Sequence, residues 1–162
     1  MSGVTRICFV CLGNIVRSPL AENIFQQLVD QSGLGNKYLA DSAGTSTWHI
    51  GEKPDPRMRQ VASRHGLNYS GKARQFQHQD FDRFDWVIAM DSTNFKNLSA
   101  IAVSPEHQKK IRMMREFDTQ GNSDSPVPDP YYGGIDGFEH VYKIIERSCE
   151  GLLASLENGN LK

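Results

Sequence analysis

Two rhythms of apolar positions alternate along the chain: short runs with almost no polar interruption, and longer stretches in which apolar side chains return every three or four residues. "TRICFVC" (5–11) is the first short run and predicts a buried strand. Leu20, Ala21, Ile24, Phe25, Leu28 and Val29 then follow at helical spacing, with Pro19 suited to the first helical position and Ser18 to the cap before it. "SGLGN" ends that helix. "KYLADSAG" predicts a second strand, "DPRMRQVASRHG" a second helix opening on Asp-Pro, and "DWVIAM" a third strand, whose near-continuous apolarity fits a parallel strand covered on both faces. Asp91 and Ser92 introduce a third helix, and "KKIRMMREF" predicts a fourth strand. Residues 118–134, rich in Pro, Gly, Ser and Asp, are the only long loop expected. Beyond it, Ile135, Phe138, Val141, Tyr142, Ile145, Cys149, Leu152 and Leu153 mark one face of a final helix ending near Leu156. Short strands alternating with amphipathic segments predict an α/β fold, a parallel sheet flanked by helices.

With 162 residues and 38% hydrophobic content, residues 1–162 are expected to form one domain with its own core. The 18 basic and 19 acidic residues are mixed along the chain, so no basic stripe invites nucleic acid. No segment approaches the roughly 18 apolar residues of a membrane span, and "MSGVTRICFV" has no signal-peptide pattern, so no membrane insertion and a cytoplasmic location are expected. Three cysteines are too few, and odd in number, for a disulfide framework; they fit a compartment where thiols stay reduced.

A reactive thiol is then permitted, and Cys11 sits where one is useful. It closes the first strand at its carboxyl end, where open α/β sheets bind ligands. Gly13 and Asn14 tolerate left-handed backbone, so the amides between Leu12 and Arg17 can curl inward around an anion. The following helix points its free amides and the positive end of its dipole at the same spot. With Arg17 nearby, these surroundings should lower the thiol pKa enough for a thiolate at neutral pH. Arginine's planar fork also suits two oxygens of a phosphoryl group. An ordinary turn beside a small buried cysteine is the weaker alternative for the same stretch. It lacks G-x-x-x-x-G-K-[ST] and G-x-G-x-x-G, which weakens a nucleotide-binding reading. "CFVC" has the spacing of a redox pair, but such pairs open helices, whereas Cys8 lies inside the strand and reads as core.

Asp129, in "PDPYYGG", is held between two prolines on a stiff turn, where a carboxylic acid could protonate a leaving oxygen. Asp-Pro is also plain turn chemistry, as at Asp55-Pro56. His49, His65, His78, His107 and His140 show no metal-ligand spacing and read as surface or structural residues, with no metal or cofactor implied.

Taken in order and spacing, "VCLGNIVRSPLAE", "DSAGTSTWHIGEKPDPRM", "KARQ", "DWVIAMDSTN" and "PDPYYGG" resemble the low-molecular-weight protein tyrosine phosphatases over nearly the whole chain. The resemblance implies a four-stranded parallel sheet with helices on both faces and a phosphate-binding loop between the first strand and the first helix. It implies metal-independent hydrolysis of phosphotyrosine-containing proteins, and of small aryl phosphates, through a phosphocysteine intermediate. Inorganic phosphate and similar oxyanions are the implied inhibitors. Residue by residue, Cys11 resembles the nucleophile, Arg17 the phosphate clamp, and Asp129 the general acid that later activates water. Leu12, Gly13, Asn14, Ile15 and Val16 match the phosphate-binding loop. Ser18 matches the hydroxyl that donates to the thiolate, and Asn14 the residue that braces the loop through a network including Ser42. Trp48, Tyr131 and Tyr132 match the lining of the slot above the phosphate. An aromatic wall of that depth binds a phenyl ring and lets tyrosine, rather than the shorter serine, reach the sulfur.

Two positions depart from the family pattern. Val16 stands where many members carry a second cysteine that captures the oxidised nucleophile, and Gly71 where animal members often have a histidine in the bracing network. Three rivals are weaker. An arsenate reductase needs downstream cysteines, and only Cys149 follows Cys11. In arginine-phosphate phosphatases the residue two before the arginine resembles threonine, whereas Ile15 matches the tyrosine-specific members. A binding module without catalysis would need neither Cys11 nor Asp129.

Overall fold

The computed structural model describes residues 3–131 and 133–161. Four strands, β1 (Thr5–Cys11), β2 (Tyr38–Gly44), β3 (Trp86–Ala89) and β4 (Ile111–Met113), form one sheet in the order β2-β1-β3-β4 with every neighbouring pair parallel. The two-residue period of β1 assigns its side chains to two cores. Ile7, Phe9 and Cys11 belong to a cluster with α1 (Arg17–Gln31), α2 (Pro56–Arg64) and α6 (Ile135–Glu157), through residues such as Leu20, Phe25, Met58, Phe138 and Leu152. Cys8 and Val10 face the opposite way, toward α3 (Asp80–Arg83) and α4 (Ser92–Ile101), joining Phe76, Phe81 and Leu98. A short α5 (Pro105–Lys110) leads into β4. Helices thus cover both faces, and β1 is covered on both sides.

The expected elements are present, with four differences. The predicted fourth strand is only three residues long. Ser104 accepts the His107 amide at 3.1 Å ahead of Pro105, which turns Lys109 and Lys110 into the end of α5. At the other end Met114 and Phe117, three apart, both enter the α1/α6 core, which a 3₁₀ turn over Met114–Phe117 allows and a strand does not. Secondly, α3 interrupts a segment that carries no clear helical period. Thirdly, the 118–134 loop is not the only long one, because residues 45–55 and 65–79 also lack helix and regular strand, the latter joined to β2 through a single Gly44–Gln75 bridge.

The fourth difference concerns the site. Helix α1 starts at Arg17, its cap is Val16 without any side-chain hydrogen bond, and Ser18 lies inside the first turn. Ser18 does not cap the helix because its hydroxyl is engaged elsewhere, with Cys11 and Asn14.

Candidate active site

Cys11 ends β1, and the chain turns through Leu12–Val16 into α1. Asn14, at φ 56°, is the only non-glycine in the left-handed region among the described residues. It alone reverses the backbone here, since Gly13 keeps a negative φ. Gly13 matters instead for closeness, because a Cβ there would stand 2.8 Å from His49 Cδ2. The loop also lies directly on Gly44 at the end of β2, where a Cβ would meet the Leu12 carbonyl at 2.7 Å. Two amides strap it down: Thr45 N donates to Cys11 O and Ser46 N to Leu12 O, each at 2.9 Å.

The Asn14 side chain uses both of its donors and one of its two acceptor positions. Its amide nitrogen donates to Ser18 Oγ at 2.8 Å and Ser42 Oγ at 2.9 Å, and its oxygen accepts the Arg74 backbone amide at 2.9 Å. Ser42 donates in turn to Glu22 at 2.6 Å. Burial pushes the Glu22 carboxyl up from its usual 4.5 to about 7, with Asp41 adding to the effect and the Ser42 hydrogen bond and Arg74 opposing it. Beneath the loop, Cys11 Sγ lies 3.0 Å from Ser18 Oγ and 3.4 Å from the Ser18 backbone amide. Because Ser18 Oγ already accepts from Asn14, its own proton is available to the sulfur or to the Ala43 carbonyl at 3.2 Å. Among the described residues, no backbone amide from Leu12 to Arg17 donates to another protein atom. That is the donor set of an anion cradle.

Arg17 borders this cradle and is 3% exposed. Its Nη1 donates to Asp91 Oδ2 at 2.7 Å and to the Val127 carbonyl at 2.9 Å, while Nη2 lies 3.7 Å from Asp129 Oδ2. Burial pushes its pKa down, but Cys11, Asp91 and Asp129 outweigh this, and the guanidinium remains charged. Asp129 is better solvated, 43% exposed, and accepts the Tyr131 amide at 3.1 Å. Cys11, Leu12, Gly13, Ile15, Val16 and Arg17 form the floor of a cavity walled by Trp48, His49, Asp129 and Tyr131. Trp48 stands out from the surface, 75% exposed. No group of three His, Cys, Asp or Glu side chains among the described residues is arranged to hold a metal ion.

The site thus joins a buried cysteine, a loop of free amides, a fixed arginine and a partly solvated carboxylic acid. The family model for low molecular weight phosphotyrosine protein phosphatase matches residues 6–161. The chain belongs to this family. It is 45% identical to the low molecular weight protein-tyrosine-phosphatase of Streptomyces coelicolor, over 93% of each chain. It is 37% identical to the low molecular weight phosphotyrosine protein phosphatase of Sus scrofa, over 91% of this chain and 92% of the other. The crystal structure of a protein tyrosine phosphatase from Entamoeba histolytica superposes with a TM-score of 0.92 at 40% identity, covering 97% of this chain and 99% of that one.

In this low molecular weight phosphatase the residues singled out in the sequence converge. Cys11 through Ser18, Ser42, Trp48, Asp129 and Tyr131 surround or brace one cavity, while Tyr132 lies outside the described residues. Other residues at the site carry no such signal in the sequence. Asp91 was legible only as a helix cap, although "DWVIAMDSTN" puts it at the carboxyl end of a central strand, where ligands bind. His49, read as surface or structural, lines the cavity beside Trp48 and pairs with Glu52 at 2.9 Å. Gly44 and Glu22 act through contacts that have no local signal.

Proposed function

We propose that this phosphatase hydrolyses phosphotyrosine in proteins, and small aryl phosphates, by two in-line transfers through a phosphocysteine. The phosphate sits in the Leu12–Arg17 amides with Arg17 on its equatorial oxygens. Cys11, as thiolate with the Ser18 hydroxyl donating to it, attacks phosphorus. The bond from phosphorus to the phenolic oxygen breaks, and that oxygen takes a proton from Asp129. In the second transfer Asp129 accepts a proton from water, the water oxygen attacks phosphorus, and the phosphorus–sulfur bond breaks to return the thiolate and release inorganic phosphate. Trp48 and Tyr131, with Tyr132 as family resemblance implies, hold the phenyl ring. Oxyanions shaped like phosphate compete for the same amides. Three free, buried cysteines fit a cytoplasmic setting.

The observation that carries this reading is the convergence of Cys11 Sγ, at 3.0 Å from Ser18 Oγ, with an arginine that also reaches toward Asp129 at 3.7 Å. The test is turnover of an aryl phosphate in a chelator, with Cys11→Ser as control. The wild type should turn over and Cys11→Ser should not, and rapid quenching of the wild type should trap phosphate on the Cys11 peptide. Retained activity in Cys11→Ser would overturn the mechanism.

A further inference from the structure

The acid loop reaches the rest of the molecule through an arginine that the reaction itself does not use. Arg57, in the first turn of α2, spans three elements. Its guanidinium is held flat by Asp55, with Nε donating to Oδ1 at 3.2 Å and Nη2 to Oδ2 at 3.0 Å. It lies 4.6 Å from the centre of the Phe138 ring and 5.3 Å from that of Tyr131, and Nη1 reaches the Gly133 carbonyl at 3.4 Å. Asp55 is itself only 6% exposed, and its backbone amide donates to the Ile15 carbonyl at 2.7 Å. A continuous chain of contacts therefore runs from the phosphate loop at Ile15, through Asp55 and Arg57, to Tyr131. Two residues before Tyr131 is Asp129, whose carboxylate accepts the Tyr131 amide.

We infer that Arg57 is a positioning residue for the general acid: it fixes the distance between the Asp129 turn and the phosphate loop. The inference rests on the proposed role of Asp129. Upstream, the loop is tied by the Val127 amide to Met90 O at 2.8 Å and by its carbonyl to Arg17. Downstream of Asp129, the Arg57 contacts with Tyr131 and Gly133 supply the corresponding tie. A planar, always-charged group suits this place. It can stack on two rings through its faces while its edge donates to the Asp55 carboxylate and to a carbonyl, which a lysine ammonium cannot reproduce.

A residue that aims an acid matters in proportion to how much the leaving group needs protonation. The experiment compares wild type, Arg57→Ala, Arg57→Lys, Asp129→Asn and the double variant Arg57→Ala/Asp129→Asn on phenyl phosphate and on p-nitrophenyl phosphate. General acid help is worth about 10²-fold to 10⁴-fold, so partial misaiming in Arg57→Ala should cost about tenfold on phenyl phosphate and far less on the activated substrate. Arg57→Lys, which keeps the charge and safeguards the test against misfolding, should show the same split. In the Asp129→Asn background the Arg57 substitution should add little further loss on phenyl phosphate. Equal losses on both substrates, full rescue by lysine, or losses that multiply with Asp129→Asn would overturn the inference. Hydrogen exchange over Pro128–Tyr131 supplies a readout independent of turnover and should quicken in Arg57→Ala. Unchanged exchange there would overturn the inference, whereas absence of turnover in the wild type would overturn the phosphatase mechanism instead.

Discussion

Asp91 serves two partners with its two carboxylate oxygens: Oδ2 accepts from Arg17 Nη1 at 2.7 Å, and Oδ1 caps α4 by accepting the Asn94 amide at 2.8 Å. Substitution can separate the two jobs. Asparagine caps a helix about as well as aspartate, so Asp91→Asn keeps the cap and loses the charge that aims Arg17. Both Asp91→Asn and Asp91→Ala should lower kcat/KM for an aryl phosphate by on the order of 10-fold to 100-fold, because a misplaced guanidinium no longer matches the equatorial oxygens. Alanine should cost about 1 kcal/mol more stability in urea unfolding than asparagine. Wild-type turnover in Asp91→Asn would show that Val127 O and Asp129 suffice to orient Arg17.

Gly151 reverses the usual rule for glycine inside a helix. Exchanging it for alanine in the middle of an exposed helix would gain about 1 kcal/mol. In α6, however, a Cβ at position 151 would stand 1.9 Å from the Phe117 carbonyl oxygen and 2.9 Å from its carbon. Backbone is on the receiving side, so no rotamer change relieves the clash. Gly151→Ala should destabilise by about 1–3 kcal/mol as α6 is forced off the 3₁₀ turn. Equal or higher stability in thermal and urea unfolding would show that this contact yields easily. Because the turn leads into the loop that carries Asp129, activity should fall together with stability.

The contrast between what was readable and what was not follows from sequence distance. Cys11, Asn14, Arg17 and Ser18 lie within eight consecutive positions, so one strand-to-helix turn brings them together whatever the rest of the fold does. Asp129 was readable through its prolines, which confine the backbone locally. Asp91 and His49 join the site only because β2 and β3 flank β1 and their following loops cross its end, while Gly44 and Glu22 depend on the pairing of β2 with β1 and on the Ser42–Glu22 contact between β2 and α1; single-sequence periodicity carries no such pairing information. The Ser18 cap failed for a related reason: cap preference describes an isolated helix end, and here a buried sulfur and a buried amide compete for the hydroxyl. "IRMMREF" is apolar enough for either period, so its sequence predicts a longer fourth strand than forms, and only the partners of Met114 and Phe117 decide between strand and 3₁₀ turn.

Glu22 predicts a pH dependence of stability with a definite sign. In the folded protein burial raises its carboxyl from 4.5 to about 7. Below the unfolded value both states hold the proton. Between the two values only the folded state holds it, so stability falls as pH rises through this window and levels off above it. A shift from 4.5 to about 7 corresponds to at most about 3 kcal/mol. Asp118 titrates in a different window: burial pushes it up, but hydrogen bonds from Arg147, the Gln120 amide and Arg115 prevail and hold it below the usual carboxylate range. Its stabilising contribution is lost only at lower pH, as the medium approaches that depressed value. Glu22→Gln keeps an acceptor for Ser42 and removes the titration. Urea unfolding of both proteins from pH 5 to 8 should therefore show the variant gaining on wild type as pH rises, and a pH-independent difference would sink the idea.

Oxidation offers a last test, which turns on where the three sulfurs lie. Cys8 and Cys11 are three residues apart in one extended strand, about 10 Å along the chain. A disulfide needs Cα atoms within about 7 Å. The odd spacing also places them on opposite faces of the sheet, Cys11 with the α1/α6 core and Cys8 with the α3/α4 core. Cys149 is fully buried in α6, its thiol donating to the Ala21 carbonyl at 3.6 Å. Burial pushes the Cys8 and Cys149 thiols well up, so neither supplies a thiolate to attack an oxidised partner at neutral pH. Val16, 4% exposed in the phosphate loop, offers no sulfur at all. A sulfenic acid formed on Cys11 by peroxide consequently has no internal thiol to capture it and proceeds with further peroxide to sulfinic and sulfonic acids. Peroxide should inactivate without an intramolecular disulfide, dithiothreitol added late should restore little activity, and phosphate occupying the cradle should slow the loss. Val16→Cys should convert this irreversible inactivation into a reversible one, by placing a thiol in the same loop as Cys11. Peptide mass spectrometry decides the matter: a Cys8–Cys11 or Cys11–Cys149 linkage in the wild type, with full late rescue, would require the sheet to open in a way that this packing opposes.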